Sequence, residues 1–186
     1  MEYLNGPSLR DMLASSGPMP IADVQRIVGP LCGALRLAHD KASAVPGALV
    51  LAADTIVVLD DQLLEKPVDE DDAVRMLLRL QGRTHHVITA VALRAGETVF
   101  EAVDVTAVTF RAAREGMLRA YARTGEPMDK AGAYGIQGYG AALVEGIDGD
   151  FFGVMGLPIR LVLDLAAEAG SPYRFPRKNG DGEDVP

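Results

Sequence analysis

Two β-rich runs that follow each other almost without a break constrain the fold of this chain most. The runs "HHVITAVALR" and "ETVFEAVDVTAVTF" cover residues 85–94 and 97–110, and their junction is "AGE", residues 95–97, whose glutamate also begins the second run. Valine, threonine, isoleucine and phenylalanine favour strands, and a short junction that contains glycine favours a hairpin. The sequence therefore predicts two antiparallel strands that lie side by side.

Strand and helix patterns alternate on both sides of this hairpin. The run "LVLAADTIVVLDD" (residues 49–61) predicts a buried strand, and residues 142–147 predict another. Between the first strand and the hairpin, acidic residues at 69–72 and Gly82 are typical of the two ends of a helix.

Two shorter helices are predicted after the hairpin. "AREGMLRAYARTG" is amphipathic and ends at Gly125, while "LPIRLVLDLAAEAG" has Pro158 near its first turn, where proline is well tolerated. Alternating strands and helices predict an α/β fold, with a mixed twisted sheet and flanking helices. A further helix is predicted over residues 21–41, where Pro30 should kink or split it.

Size and charge exclude several classes of protein. A chain of 186 residues is long enough for one well-packed domain and short for two. Its net charge of −8 repels nucleic-acid polymers, so we expect no such partner. The single Cys32 excludes an internal disulfide and suits a reducing compartment, and there is no membrane-length apolar run or signal-peptide pattern. We expect a cytoplasmic protein.

Asp54 and Thr55 stand in the middle of the first predicted strand. A carboxylate in an apolar element costs several kcal/mol unless it is paired, protonated or bound to a metal. A carboxylate fixed on a strand can hold a divalent metal or orient a water as a general base. The alternative is an ordinary strand aspartate that is satisfied by backbone donors.

Further candidate residues lie in two loops. Lys66 precedes Pro67, which can aim the ammonium at a phosphate, although a solvated lysine explains the same pattern. The segment "MDKAGAYGIQG" (residues 128–138) combines glycines, which let a backbone approach a ligand closely, with four functional side chains. These are Asp129 for a metal or water, Lys130 for a phosphate, Tyr134 for stacking and Gln137 for a base edge. A plain glycine-rich connection is the alternative.

Two histidines begin the first strand of the hairpin. Because neighbouring strand residues point to opposite faces, His85 and His86 cannot form a paired metal site, and we expect structural or surface roles.

Taken in order, four motifs resemble the Maf family of nucleoside triphosphate pyrophosphatases. They are "LAADTIVVLDD", "EKP", "GRTHHVITAVAL" and "EPMDKAGAYGIQGYGAALVEGIDGDFFGVMGLP", and the resemblance runs from residue 37 to residue 170. The motif "DKAGAYGIQG" is similar to the branch that acts on dTTP and UTP. The resemblance implies a Maf or inosine triphosphate pyrophosphatase-like fold and hydrolysis between the α and β phosphates, aided by Mg²⁺ or Mn²⁺.

The resemblance also implies roles for single residues. Asp54 matches the family's proton acceptor and a tentative metal ligand, while Lys66 and Lys41 match lysines near the phosphates. Thr55 and Gln137 match positions associated with pyrimidine selectivity. The remaining matches, Asp129, Lys130 and Tyr134, share the substrate-binding motif. We expect a nucleoside triphosphate as substrate, modified pyrimidine nucleotides among the candidates, and a homodimer as a possible assembly.

The N-terminal segment departs from the family. Members begin with a phosphate-binding loop close to S-x-S-P-R-R, which residues 1–40 lack. These residues instead resemble a fragment of protein serine/threonine kinases without the kinase catalytic motifs. We therefore divide the chain into an atypical helical segment (1–40), a Maf-like core (41–170) and a flexible tail (171–186), and expect impaired activity. A non-catalytic nucleotide-binding or interaction module and a kinase-derived regulatory fragment remain alternatives.

Overall fold

The predicted hairpin forms the centre of the sheet. The structure, a computed structural model, describes residues 48–176. Strands β3 (Thr84–Ala95) and β4 (Thr98–Phe110) pair antiparallel along their whole length. The tight connection uses Gly96 at φ 57°, a left-handed conformation that glycine adopts without steric cost. The hairpin predicted from the sequence is confirmed.

Three further strands complete the sheet. They are β1 (Leu49–Leu59), β2 (Gln62–Leu64) and β5 (Val144–Asp148), and the order across the sheet is β2-β1-β3-β4-β5. Asp60 and Asp61 turn β1 into β2 with φ of 50° and 59°, as expected for a tight two-residue hairpin loop. The predicted α/β fold with flanking helices is confirmed, and all pairings among the described strands are antiparallel.

The three longer helices follow signals in the sequence, whereas the short ones between residues 126 and 154 were not predicted. Helix α1 (Glu70–Leu80) begins at Asp69, whose side chain accepts a hydrogen bond from the Asp72 N–H at 2.7 Å and so caps the helix. Helix α2 is Glu115–Ala122, and α3 (Phe151–Val154) and α4 (Ile159–Glu168) follow β5. Three short 3₁₀ helices lie between α2 and β5, at Glu126–Asp129, Ala131–Ala133 and Tyr139–Leu143.

The two faces of the sheet carry separate clusters of buried side chains. On one face, side chains such as Val57, Leu59 and Phe110 pack with α1, α2 and the 3₁₀ helices. Farther along the same face, Leu165 of α4 packs on Val91 and Leu93. The opposite face carries another buried cluster, formed by Ile56, Val58, Ile88, Ala90, Ala92 and Val103. In the cluster around Val57 and Phe110, side chains of the glycine-rich segment pack against β1.

Strand β1 is less buried than the sequence predicts. Residues 56–59 are buried, whereas residues 49–55 are exposed or half-buried, so the prediction of a buried strand is wrong for the first seven residues. The reason is the short neighbour β2, which pairs only with residues 57–59 of β1. Over residues 49–56, β1 has β3 as its one partner within the described part of the chain. Asp54 itself is half-buried, so its carboxylate keeps some access to solvent.

Several predictions concern the ends of the chain. The kinked helix over residues 21–41, Lys41, and residues 177–186 of the predicted tail lie outside the described residues. Residues 171–176 are described, and they are exposed without regular secondary structure. Within residues 48–176, no helix combines the length and hydrophobicity needed to cross a membrane.

Candidate active site

A pocket of about 310 Å³ lies where β1, the residues after β2 and the glycine-rich segment meet. Seven of the eight site residues predicted from the sequence line it: Asp54, Thr55, Lys66, Asp129, Lys130, Tyr134 and Gln137. The eighth, Lys41, lies outside the described residues. Residues separated by more than 80 positions in sequence are thus brought to one cavity.

Close packing of the glycine-rich segment on β1 forms one wall of the pocket. The Gly132 N–H donates to the Glu65 carbonyl at 3.1 Å, which ties the segment to the residue beside Lys66. Gly132 has φ 71°, and a Cβ there would lie 2.9 Å from Val57 Cγ1. Only glycine adopts this positive φ and fits this close to Val57 without strain, so Gly132 determines how near Lys130 comes to the sheet.

Asp54 is held by the backbone ladder of the sheet. Asp54 pairs with Ala90 of β3, and the Asp54 Oδ1 accepts a hydrogen bond from the Thr55 N–H at 2.9 Å. Asp54 is half-buried and lines the pocket, and because neighbouring strand residues point to opposite faces, its side chain leaves β1 on the other face from that of Thr55. A carboxylate with a fixed Cα, an oriented oxygen and access to solvent can accept a proton from a water.

Thr55 belongs to a chain of hydroxyl groups that sequence reasoning missed. Its Oγ1 lies 2.8 Å from Thr89 Oγ1, and the Thr89 hydroxyl donates to the Gly153 carbonyl at 2.7 Å. A carbonyl can only accept, so the single proton of Thr89 goes to Gly153 and Thr55 is the donor to Thr89. The remaining lone pairs of Thr55 Oγ1 then offer the pocket an acceptor. The threonine at position 89 resembles any other β-branched strand residue, so no sequence signal marked it.

Two lysines and a carboxylate give the rim of the pocket its charge. Lys130 Nζ lies 2.6 Å from Asp129 Oδ1, and this hydrogen-bonded pair lowers the pKa of Asp129, with a smaller contribution from the charge of Lys66. Lys66 is exposed, while the following Pro67 is buried and holds the backbone. The two ammonium groups can attract an anionic ligand into the pocket.

Tyr134 is mainly a core residue. Its hydroxyl shares a hydrogen bond of 2.8 Å with His85 Nε2, and its ring meets Phe110 edge to face at 4.7 Å between centroids. Burial raises the pKa of Tyr134. Only 5% of its surface is exposed at the pocket, which leaves little area for the stacking role predicted from the sequence.

The two histidines lie on opposite faces, as predicted. His85 is 1% exposed, whereas His86 is exposed. Burial, with a smaller effect from the charge of His86, lowers the pKa of His85 to about 4, and its Nδ1 has no hydrogen-bond partner. His85 is therefore a neutral part of the core, in agreement with the structural role expected for it.

The donor set at the pocket suits a metal that is shared with a phosphate. Within residues 48–176 no group of three or more His, Cys, Asp or Glu could hold a metal by itself. The pocket offers the carboxylates of Asp54 and Asp129. Magnesium commonly binds through one or two carboxylates together with waters and substrate phosphates. The residues fit that mode and do not fit a metal cage made entirely of protein ligands.

The fold and the pocket define an α/β protein with a small cavity whose lining includes both lysines and carboxylates. The sequence matches the family model described as "Maf-like protein" over residues 25–169, and the chain belongs to the Maf family. This confirms the family resemblance in the motifs. The family match also overlaps residues 25–40, which the sequence analysis assigned to the atypical segment; the boundary at residue 40 and the kinase-like origin stay predictions.

Individual relatives are similar over most of their length. A dTTP/UTP pyrophosphatase of Symbiobacterium thermophilum is 49% identical over 141 residues, which are 74% of this chain and 73% of that protein. A dTTP/UTP pyrophosphatase of Myxococcus xanthus is 52% identical over 141 residues, 74% of this chain and 71% of its own. One from Aquifex aeolicus is 46% identical over 134 residues, 70% of each chain.

Proposed function

We propose that the protein is a nucleoside triphosphate pyrophosphatase that hydrolyses dTTP and UTP, and related modified pyrimidine nucleotides. The observation that carries this proposal is the meeting of Asp54, Lys66, Lys130 and Gln137 at one pocket. Relatives named dTTP/UTP pyrophosphatase at about half identity support the same substrates. The products are a nucleoside monophosphate and pyrophosphate.

The family resemblance implies hydrolysis between the α and β phosphates, and the pocket residues can be assigned roles in that reaction. Water attacks the α-phosphorus, a new P–O bond forms, and the bond from that phosphorus to the α,β-bridging oxygen breaks so that pyrophosphate leaves with the electron pair. Asp54 accepts the proton that the attacking water loses. Its Oδ1, oriented by the Thr55 N–H at 2.9 Å, is already in place before the substrate arrives.

Lys66 and Lys130 would stabilise the negative charge of the triphosphate. Lys130 is already paired with Asp129 at 2.6 Å, so part of its charge is offset, and we assign the larger role to Lys66. Lys41 is a third proposed cation, based on the family motif. Asp54 and Asp129 would hold Mg²⁺ or Mn²⁺ together with phosphate oxygens. Such a metal, when bound, neutralises phosphate charge and polarises the phosphorus.

Base selection would rest on two polar groups. Thr55 Oγ1 offers an acceptor, because its proton goes to Thr89 at 2.8 Å. Gln137 is exposed at the pocket and offers both a donor and an acceptor. Uracil and thymine carry a ring N–H between two carbonyl groups, so one acceptor and one amide can read their edge.

We further propose that the protein acts in the cytoplasm and as a homodimer. The single cysteine suits a reducing compartment, and dTTP and UTP are available there. Size-exclusion chromatography with light scattering would test the assembly.

The central experiment compares Asp54→Asn with Asp61→Asn in pyrophosphate release from dTTP and UTP with Mg²⁺. Asp61 is an exposed turn residue at φ 59°, a conformation that asparagine adopts readily, and it does not line the pocket. We expect the first variant to lose activity by about 10³-fold or more and the second to match the wild type. Equal activity of wild type and Asp54→Asn would contradict the catalytic assignment.

A second comparison addresses the missing S-x-S-P-R-R loop. We expect a chain with a family N-terminus in place of residues 1–40 to be about 10² to 10⁴ times faster, because bidentate arginine contacts stabilise phosphate charge. Stabilisation of the wild type by dTTP in a thermal-shift assay, without turnover, would instead favour a non-catalytic nucleotide-binding module.

A further inference from the structure

The loop that carries Gln137 is held from behind by two side chains that do not line the pocket. At its start, the Gly135 N–H donates to the Tyr121 hydroxyl oxygen at 3.0 Å. The Tyr121 hydroxyl in turn donates to Glu126 Oε1 at 2.9 Å. Tyr121 lies in the last turn of α2 and Glu126 begins the next 3₁₀ helix, so both belong to regular secondary structure.

The far end of the loop is tied to the same glutamate. Glu126 Oε2 accepts from the Tyr139 N–H at 2.8 Å, and Oε1 accepts from the Gly140 N–H at 3.0 Å. One carboxylate therefore receives two backbone donors and one hydroxyl donor. Gln137 lies between the two tied ends, with only Ile136 and Gly138 beside it.

The glycine spacing of the loop suits this anchor. A side chain at Gly138 would overlap Glu126 Oε2, and a Cβ at Gly140 would lie 2.7 Å from the Tyr121 hydroxyl. Both glycines thus let the backbone approach the anchor side chains. Glycines in this segment are expected from the sequence to let the backbone approach a ligand, whereas Gly138 and Gly140 let it approach Glu126 and Tyr121.

The anchor is charged and present without a ligand. Burial raises the pKa of Glu126, but the hydrogen bonds from Gly140, Tyr139 and Tyr121, with a smaller effect from the charge of Lys130, outweigh it, so the pKa is lowered overall. Hydrogen bonds from backbone N–H groups to a carboxylate are stronger than those to a neutral acceptor. The loop is therefore ordered before a nucleotide arrives, which is the condition for selective recognition.

We propose that Glu126 is a positioning residue that determines base selectivity by holding the Gln137 loop, with Tyr121, in a single arrangement. This inference rests on the proposed function for its activity readout. Glu126 does not touch the pocket, so its loss should change how the base edge is read more than how Asp54 handles the water.

The first test compares Glu126→Gln with Glu115→Gln. Glutamine keeps the size of Glu126 but presents an NH₂ group to backbone donors. Glu115 is exposed on α2 and pairs with Arg119 at 2.8 Å, so it is a matched control. We expect Glu126→Gln to reduce the ratio of kcat/KM for UTP over GTP by about tenfold, mainly through a higher KM for UTP. An unchanged ratio, or a loss confined to kcat, would overturn the proposal.

The second test does not depend on catalysis. Amide hydrogen exchange is followed for Gly135, Tyr139 and Gly140 without nucleotide, with α1 amides as a reference for global stability. In Glu126→Gln we expect the Tyr139 and Gly140 amides to exchange at least about tenfold faster while the α1 amides are unchanged. Unchanged exchange at both amides would overturn the anchor whatever the activity.

The two tests also separate this inference from the proposed function. If the wild type releases no pyrophosphate from any nucleotide, the proposed function fails, and selectivity is measured by calorimetry as the ratio of dissociation constants for UTP and GTP. A tenfold fall of that ratio in Glu126→Gln would still support the positioning role. No change in the ratio, or no binding of either nucleotide to the wild type, would overturn it.

Discussion

The two walls of the pocket are held in place by different kinds of interaction. Asp54 and Thr55 stand on β1, whose backbone pairs with β3 over ten successive residues. The opposite wall, at residues 125–140, consists of short 3₁₀ turns that depend on a few contacts, such as Gly132 against Val57 and Glu126 against the loop ends. The sheet wall should tolerate single substitutions outside the reacting groups, and the glycine-rich wall should not.

Among the tests of this contrast, the largest expected effect compares Lys66, which follows β2, with Lys130 in the glycine-rich wall. Lys66→Met should lower kcat/KM for UTP by about 10² to 10³, the size seen when a donor to developing charge is removed. Lys130→Met should cost only about tenfold, because Asp129 already offsets part of its charge at 2.6 Å. Steady-state pyrophosphate release measures both, and a greater loss in Lys130→Met would reverse the assignment.

The next effect tests how the glycine-rich wall packs. Gly132→Ala should destabilise the protein by about 3 kcal/mol, since it adds a left-handed alanine and forces a methyl group against Val57. Gly96→Ala is the matched control, because Gly96 has a similar φ of 57° but open space around it, and about 1–2 kcal/mol is expected there. Urea unfolding gives both values, and equal losses would show that packing against Val57 contributes nothing.

The smallest effect concerns the buried histidine behind the pocket. Because burial lowers the pKa of His85 from 6.5 to about 4, the unfolded chain binds more protons between these values. His85 therefore contributes stability that is fully present above pH 6.5 and is lost as the pH falls towards 4. Between pH 7.5 and pH 5 this loss is about 2 kcal/mol.

Urea unfolding of the wild type and His85→Phe at both pH values isolates this contribution, since the remaining groups titrate alike in the two proteins. His86→Gln serves as the control, because His86 is exposed on the other face. If the wild type and His85→Phe lose equal stability between pH 7.5 and pH 5, His85 does not remain neutral in the folded state.

Local chemistry explains why so much of the fold was predictable. The β3–β4 hairpin, the Asp69 cap of α1 and Pro158 before α4 are signals whose physical cause lies within a few residues. The burial of β1 was mispredicted, because it depends on the length of β2, which is not encoded near Asp54. The seven described site residues were named from motifs, and their roles stay predictions.

The sequence by itself determined the α/β class, the central hairpin, the family and the list of candidate residues. These features depend on local backbone preference and on the pattern of side chains along the chain. Only the tertiary structure decided which groups support them. Hydrogen bonds join Thr89 to Thr55, His85 to Tyr134, and Glu126 to the loop that carries Gln137. The residues in these pairs are up to 49 positions apart in sequence. Such contacts form when strands pair and loops pack, and no local pattern in the sequence records them.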